Sequence, residues 1–168
     1  MTFDTPAGTR GRRVPSGWAY RQLNKLMARR IRRHGGQLSG LNALVLTTVG
    51  ARSGQPRTNP VGWFPGPDGS WLIVASAAGA AGNPAWYHNI AAHPDQVQIE
   101  VGGTTVPVTA EQLHGAERAG AWQQITATAP RFAQYQQKTD RELPVIRLVR
   151  RSGGPAPRDG RARDSGAG

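Results

Sequence analysis

The feature that most limits how this chain can fold is a series of short apolar and β-branched runs separated by glycine- and proline-containing turns. Val97–Val101 and residues 104–109 alternate around Gly102-Gly103, a pair typical of a two-residue hairpin. Comparable runs predict further strands at residues 43–49, 57–64, 71–75 and 144–149. About six mostly antiparallel strands with hairpin connections and few helices predict an α+β protein built on a small β-barrel.

The rest of the chain divides into helices and ends of different composition. Residues 1–15 and 151–168 are rich in Gly, Pro and Arg, which predicts disordered basic tails on either side of a barrel domain at 36–150. Residues 16–35 form a basic amphipathic helix, and further helices are expected at 84–92, 115–127 and 130–139. The first helix has apolar residues at helical spacing: Tyr20, Leu23, Met27 and Ile31, with Leu26 beside them.

Charge is concentrated at the N-terminal end. The net charge is +11, yet residues 1–33 hold nine basic residues against Asp4 alone, and residues 34–150 hold eight against seven. The formal charge therefore describes the ends of the chain, and the arginines there lack interleaved aromatic side chains. We expect no specific nucleic-acid site, although a basic nucleic-acid-binding module is the third-ranked alternative.

Several kinds of site and location are excluded by what the sequence lacks. There is no cysteine, so disulfides, thiolate metal sites and a cysteine nucleophile are excluded. His88 and His93 are five residues apart and point to different sides of a helix, so no metal site is expected. No apolar run approaches the ~20 residues that span a bilayer, and the N-terminus lacks the pattern of a secretory signal. We therefore expect a cytoplasmic protein whose chemistry comes from a cofactor.

Two segments carry the residues suited to binding that cofactor. In residues 44–64, Gly50, Ser53 and Gly54 can bring backbone N–H groups close to an anion, and Arg52 and Arg57 suit phosphate or carboxylate. The alternative is an ordinary hairpin with solvated arginines, which composition alone favours. In residues 83–89, a Trp-Tyr pair and an asparagine can shelter a ring system, or the two aromatic residues can anchor a helix on the barrel.

Taken together, these segments resemble a known family. Leu-Thr-Thr-Val-Gly-Ala-Arg-Ser-Gly-Gln-Pro-Arg at 46–57, Val-Ala-Ser at 74–76 and Pro-Ala-Trp-Tyr-His-Asn at 84–89 are similar to the deazaflavin (F420)-dependent nitroreductase and quinone reductase family. Residues 130–136 and Leu-Pro-Val at 143–145 extend the resemblance in the same order. The family belongs to the split β-barrel superfamily of flavin and deazaflavin oxidoreductases, so the resemblance implies a split β-barrel.

The resemblance also implies a role for each matching residue. Arg52 and Arg57 would bind the cofactor phosphate with help from Gln55, and Ser76 and Tyr135 would hydrogen-bond the acceptor. Phe132 and Tyr135 would form the substrate wall. The full cofactor-binding set implied is Ala51, Arg52, Ser53, Gln55, Arg57, Thr58, Asn59, Pro60, Val61, Gly62, Val74, Ala75, Ser76, Ala77, Ala85, Trp86, Tyr87, His88 and Asn89. Family members usually have cations where this chain has Ala51 and Ala77.

The function implied is that of an enzyme that transfers hydride from coenzyme F420 to a quinone-like or other electron-poor acceptor. FMN is the alternative cofactor, and a non-catalytic carrier of a deazaflavin or flavin is the alternative function. Residues 16–33 either bind an anionic membrane surface, which places the protein on the inner face of the cell membrane, or pack on the barrel. A monomer and a homodimer are both left open.

Overall fold

The computed structural model describes residues 3–33, 35–38 and 40–151, except for the side chain of Leu38. The tail predicted at 151–168 lies outside these residues apart from Arg151. The helices are α1 (Trp18–Arg33), α2 (Ala85–Ala92), α3 (Gly115–Thr128) and α4 (Arg131–Gln137). The strands are β1 (Gln37–Leu38), β2 (Leu41–Val49), β3 (Pro56–Gly62), β4 (Phe64–Pro65), β5 (Trp71–Val74), β6 (Val97–Val101), β7 (Thr104–Gln112) and β8 (Val145–Arg150).

All strand pairings in the described part of the chain are antiparallel. The order is β1-β2-β6-β7-β8-β5-β4, and β3, which lies outside this order, also pairs with β2. The hairpin between β6 and β7 has the predicted two-residue turn, and both Gly102 and Gly103 have positive φ, at 57° and 77°. The predicted α+β class is confirmed, with two short strands added to the six expected.

The strands β2 and β5 are covered on both faces, which explains their nearly continuous apolar sequences, whereas burial alternates along β6 and β7. In β2, Leu44 belongs to the core inside the curled sheet, whereas Val45 belongs to a cluster that contains Ile31 of α1. In β5, Ile73 faces the same inner core, and Leu72 packs in the cluster formed with α3 and α4. The inner core is closed at one end by α2, so the loops at that end can border a site without disturbing the sheet.

Helix α1 packs on the barrel with a face that shares Ile31 with the predicted apolar face. Ala28 and Ile31 are buried against β2. Leu23 and Leu26, which belong to the predicted apolar side of the helix, are 52% and 61% exposed, and Trp18 is 70% exposed. The helix therefore packs on the barrel and also presents a second apolar surface to solvent. No helix in the described residues is long and apolar enough to cross a membrane.

Residues 3–17, which we call the N-terminal strap, do not behave as the predicted disordered tail. Phe3 packs edge-on against Tyr87 with ring centroids 5.8 Å apart. The backbone N–H of Gly8 donates to the carbonyl of Ala81 at 2.7 Å, and the N–H of Ala81 donates to the carbonyl of Arg12 at 2.9 Å. Hydrogen bonds and an aromatic contact thus attach the strap along the end of the barrel.

The glycines that suggested disorder are what allow this attachment. A Cβ on Gly8 would lie 2.5 Å from Oδ1 of Asp140, and one on Gly11 would lie 2.7 Å from the backbone nitrogen of Ala81. Gly11 also has a φ of 134°, which L side chains rarely adopt. The composition reflects a close backbone approach here rather than a lack of structure.

Candidate functional site

Two adjoining clefts lie between the strap and α1 on one side and the β2–β3 turn and α2 on the other. The larger, of about 620 Å³, is lined by Pro15, Ser16, Gly17, Tyr20, Arg21, Asn24, Gly50, Ala51, Arg52, Ser53, Arg57, Thr58, Asn59, Ala85, His88 and Asn89. The smaller, of about 210 Å³, is lined by Val14, Pro15, Tyr20, Asn59, Ala77, Ala78, Pro84, Ala85 and Trp86. Pro15, Tyr20, Asn59 and Ala85 border both, so one extended ligand can occupy the two clefts together.

The β2–β3 turn at residues 50–55 is held by its own backbone. The N–H of Gly50 donates to the carbonyl of Gln55 at 2.8 Å, and the N–H of Gly54 donates to the carbonyl of Gly50 at 2.9 Å. Gly54 has a φ of 68°, a left-handed conformation that favours glycine. The side chains of this turn are therefore free to project from a fixed frame.

Asn89 ties this turn to helix α2. Its Oδ1 accepts the backbone N–H of Ala51 at 2.9 Å, and its Nδ2 donates to Oγ1 of Thr48 at 3.1 Å. The sequence resemblance placed Asn89 among the cofactor-binding residues. Because both ends of its amide already bind the protein, its observed contribution is to fix the position of the turn.

The larger cleft is positively charged. Arg21, Arg52 and Arg57 line it, and no aspartate or glutamate is among its lining residues. Nη2 of Arg57 lies 3.5 Å from Oγ of Ser53, a long contact that leaves the guanidinium able to bind a ligand. Three arginines without a carboxylate favour an anionic ligand such as a phosphate or a polycarboxylate.

The smaller cleft is mainly apolar and is bordered by the turn at residues 75–80. Ala77 and Ala78 have φ values of 44° and 53°, in the left-handed region that costs an alanine roughly 1–2 kcal/mol. Trp86, which is 7% exposed, borders the cleft from α2. A flat ring would contact small apolar groups here with one indole beside them.

The structure brings a subset of the predicted site residues together. Those that line one or both clefts are Ala51, Arg52, Ser53, Arg57, Thr58, Asn59, Ala77, Ala85, Trp86, His88 and Asn89. Those that line neither cleft are Gln55, Pro60, Val61, Gly62, Val74, Ala75, Ser76, Tyr87, Phe132 and Tyr135. Ser76 directly precedes Ala77 and is half-buried at the edge of the smaller cleft.

Three predicted aromatic residues lie behind the clefts. Tyr87 is 2% exposed, and its hydroxyl donates to Oε1 of Gln112 at 2.7 Å, which makes it an anchor of α2. Phe132 packs edge-on against Phe64, with ring centroids 5.6 Å apart, in the cluster beneath α3. Tyr135 contacts Phe132 on the same side. Neither Phe132 nor Tyr135 forms a wall of the clefts.

Residues that the sequence argument missed come from the strap and from α1. Val14 and Pro15 of the strap, and Tyr20, Arg21 and Asn24 of α1, border the clefts. Tyr20 and Asn24 are four residues apart and share a helix face, which is the only sequence pattern that could have grouped them. Their place in the same cleft as the 50–55 turn depends on how α1 packs, which the sequence does not reveal.

Arg141 was also missed. It is 2% exposed, and its guanidinium lies behind the 75–80 turn, where burial lowers its pKa below the ordinary value. The described residues contain no group of three or more His, Cys, Asp or Glu side chains that could hold a metal ion. The chemistry of the clefts therefore rests on cations, backbone groups and apolar surface.

Comparison with known proteins agrees with this geometry. Residues 19–150 match the family model described as F420H(2)-dependent quinone reductase. An F420H(2)-dependent quinone reductase of Mycobacterium tuberculosis is 42% identical over 112 residues, which cover 65% of this chain and 74% of that protein.

Two solved structures are also similar. An F420H2-dependent reductase, FDR-A, has a TM-score of 0.57 and 36% identity over 63% of this chain and 92% of its own. A second, described as a domain-swapped dimer, has a TM-score of 0.57 and 31% identity over 78% of this chain and 96% of its own. The predicted split-barrel fold is confirmed by these matches. The chain belongs to the F420H(2)-dependent quinone reductase family.

Proposed function

We propose that this chain binds coenzyme F420 across the two clefts and reduces a quinone-like acceptor. The observation that supports the proposal most is the pairing of an arginine-lined cleft with an adjoining apolar one. A deazaflavin coenzyme has the same division, because a flat ring is joined to an anionic phosphate and acidic tail. The family to which the chain belongs is named for the same coenzyme.

The residues present fit this coenzyme even though two family cations are replaced by Ala51 and Ala77. Arg21 enters the larger cleft from α1, opposite Arg52 and Arg57, and supplies a third positive charge. In our proposal these three arginines bind the phosphate and tail, and each charge-assisted hydrogen bond contributes about 2 kcal/mol. Asn89 keeps the 50–55 turn in place through its bonds to Ala51 and Thr48.

The smaller cleft would orient the ring and exclude water. Ala77, Ala78 and Trp86 form apolar walls, and Tyr20 and Asn59 lie at the junction with the larger cleft. Reduced F420, when bound, supplies a hydride to the acceptor. No carboxylate lines either cleft in the described part of the chain, so water would supply the proton that completes reduction.

Ser76 remains our candidate for hydrogen-bonding the acceptor oxygen, because it adjoins Ala77 at the edge of the smaller cleft. The corresponding role of Tyr135 stays a prediction, since its ring lies against Phe132 behind the clefts. Tyr20 is the tyrosine that borders both clefts and is the better-placed aromatic neighbour for a flat acceptor.

The proposal is tested by titrating the protein with oxidised F420 and, in parallel, with FMN, while ligand fluorescence is followed. We expect F420 to bind at least tenfold more tightly than FMN. Oxidation of F420H2 should then depend on both the protein and an added quinone such as menadione. Preference for FMN would overturn the assignment of F420 as the cofactor. Tight F420 binding without turnover of any quinone would favour the alternative of a non-catalytic carrier.

A second proposal concerns the exposed surface of α1. Trp18, Leu23 and Leu26 are more than half exposed, and Arg29 and Arg30 follow Leu26 at helical neighbour positions. Apolar groups beside arginines are typical of helices that lie on anionic lipid. We propose that this surface attaches the protein peripherally to the inner leaflet, where apolar quinones dissolve.

Vesicle co-sedimentation tests the attachment. The protein should pellet with vesicles containing phosphatidylglycerol and stay in solution with pure phosphatidylcholine. A variant combining Trp18→Ser, Leu23→Ser and Leu26→Ser should lose pelleting, whereas the control Val149→Ser, at a 40% exposed site on β8, should retain it. Equal pelleting of both variants would reject the proposal.

A further inference from the structure

Arg141 occupies an unusual position for an arginine, because all its described hydrogen bonds are to neutral oxygens. Nη1 donates to the carbonyl of Ala75 at 3.0 Å and to Oδ1 of Asn83 at 2.7 Å. Nη2 donates to the carbonyls of Ser76 at 3.0 Å and Ala80 at 3.1 Å, and Nε donates to Ala80 at 3.3 Å. The guanidinium therefore binds three carbonyls of a single turn.

Two other partly buried arginines have acidic partners. Arg118 lies 2.9 Å from Glu142, and Arg147 is paired with Glu111 and Glu117. Burying a cation without a carboxylate is costly unless its N–H donors are satisfied. The donors of the Arg141 guanidinium are satisfied mainly by backbone carbonyl oxygens instead. Such an arrangement is explained if the turn it holds has to keep one particular shape.

The shape of that turn is well defined. Ser76 is right-handed helical, with φ −80° and ψ −35°, and Ala77 and Ala78 are left-handed. A right-handed residue followed by a left-handed one turns successive backbone N–H groups to the same side and makes a concave site for an anion. Ala77 and Ala78 border the smaller cleft. Arg141 holds the carbonyls of Ala75, Ser76 and Ala80 on the interior side, and the carbonyl of Ala77 accepts the N–H of Ala80.

We propose that Arg141 is a positioning residue that aims the N–H groups of Ala77 and Ala78 into the smaller cleft to stabilise negative charge on the acceptor oxygen. The proposal rests on the proposed function and extends it. A quinone that takes up a hydride gains its electron pair and one negative charge on oxygen, and water then protonates that oxygen to give the quinol. The N–H groups would stabilise the anion before it is protonated.

The first test needs no cofactor. Amide hydrogen exchange is measured by mass spectrometry on the unliganded wild type and on Arg141→Lys, Arg141→Met and the control Arg147→Met. Arg147 is partly buried and, unlike Arg141, is paired with acidic side chains. We expect residues 74–82 to exchange at least tenfold faster in both Arg141 variants, with the 97–108 hairpin unchanged. If exchange at residues 74–82 is unchanged, or if exchange is accelerated equally throughout the protein, Arg141 does not hold the 75–80 turn and the proposal is overturned.

The second test separates positioning from folding. At saturating F420H2 and well below the Tm of each variant, Arg141→Lys should lower kcat for menadione at least tenfold, while Kd for F420 changes less than threefold. A lysine keeps the charge but has only three N–H donors on one nitrogen, so it cannot form the same set of hydrogen bonds as the planar guanidinium. Arg147→Met should leave both constants within twofold of wild type.

An Arg141→Lys variant with lower Tm but unchanged kcat would reduce Arg141 to a structural residue and overturn the proposal. If the wild-type protein turns over no quinone, the proposed function fails. The proposal that the N–H groups of Ala77 and Ala78 stabilise the acceptor oxygen then fails as well. The exchange data would still decide whether Arg141 holds the turn. If Arg141→Met does not fold, the exchange experiment can be carried out with Arg141→Lys alone.

Discussion

The two turns that border the candidate site use arginine in opposite ways. The 50–55 turn is closed by its own backbone hydrogen bonds and displays Arg52 at the cleft, with no carboxylate among the lining residues. The 75–80 turn displays only Ala77 and Ala78, and its arginine, Arg141, is 2% exposed and bonded to the carbonyls behind it. An arginine whose N–H donors are unused indicates a ligand-binding role. An arginine whose donors are satisfied by backbone carbonyls indicates that it fixes the conformation of that backbone.

The strongest test of this contrast removes the displayed charges. Arg52→Ala combined with Arg57→Ala should raise Kd for F420 by roughly 10²- to 10³-fold, because each lost contact is worth about 2 kcal/mol and 1.4 kcal/mol is a factor of ten. Tm should change by less than about 3 °C, since surface substitutions change stability little. The measurements are fluorescence titration and thermal unfolding.

Arg150→Ala is the matched control for this double variant. Arg150 is exposed and lies over the ring of Trp71 at 5.9 Å, away from both clefts. It should bind F420 as wild type does. If the double variant also binds normally, the larger cleft does not hold the anionic part of the coenzyme, and the contrast between the turns has no functional meaning.

A smaller effect is expected from the third arginine of the larger cleft. Arg21→Gln should raise Kd for F420 by roughly five- to tenfold, because Arg21 is exposed and its contact is screened by salt. Arg29→Gln, on the same helix but outside the cleft lining, should have no effect. Equal effects of the two variants would indicate a general attraction to a basic helix rather than a third specific contact.

Loss of the contact between the strap and Asp140 should affect F420 binding still less, and the strength of this contact should depend on pH. The Thr9 hydroxyl and the Arg10 N–H donate to Asp140 and lower its pKa from 3.8 to about 2. Because the folded-state pKa is depressed, the contribution of this carboxylate is complete above about pH 4 and is lost as the pH falls towards 2. The amide signals of Thr9 and Arg10 in NMR spectra should follow that titration.

Asp140→Asn should release this part of the strap at every pH and change Kd for F420 less than threefold. The reason is that Asp140 contacts the strap outside the clefts, whereas the cleft arginines stay in place. A tenfold loss of affinity would instead show that the contact of Asp140 with Thr9 and Arg10 is needed to shape the binding site.

The smallest effect concerns the held turn itself. Ala78→Gly should raise the free energy of unfolding by about 0.5–1 kcal/mol, because relief of a left-handed alanine exceeds the entropy cost of glycine. The exposed Ala119→Gly in α3 should lower it by a similar amount, since glycine is a poorer helix former. Thermal unfolding of both variants provides the comparison. Destabilisation by Ala78→Gly would mean that the turn does not carry the strain inferred from its φ values.

The parts of this fold that could be predicted from sequence are those set by local chemistry. Gly102-Gly103 specified a hairpin through two positive φ angles, and the continuous apolar run in β2 marked a strand buried on both faces. The cationic turn was identified because Arg52, Arg57 and their glycines lie within a few residues of one another. Each of these features depends on neighbours along the chain.

The features that escaped prediction depend on tertiary packing. Gly8 and Gly11 indicated disorder by composition, but they mark where the strap approaches Asp140 and Ala81. Arg141 stands between Asp140 and Glu142 and resembles a solvated charge run, and only the fold shows that it points inward. The cleft residues from α1 were missed because the sequence does not show which face of the helix lies towards the barrel.

The edge-on contact of Phe3 with Tyr87 has a practical consequence for anyone who prepares this protein. Tyr87 anchors α2 and accepts the backbone N–H of Thr5 at 3.1 Å, so the first described residues are joined to the helix that borders both clefts. A purification tag attached close to Phe3 in sequence would lie beside this contact. Affinities measured with such a fusion should be compared with those of protein tagged at the other end.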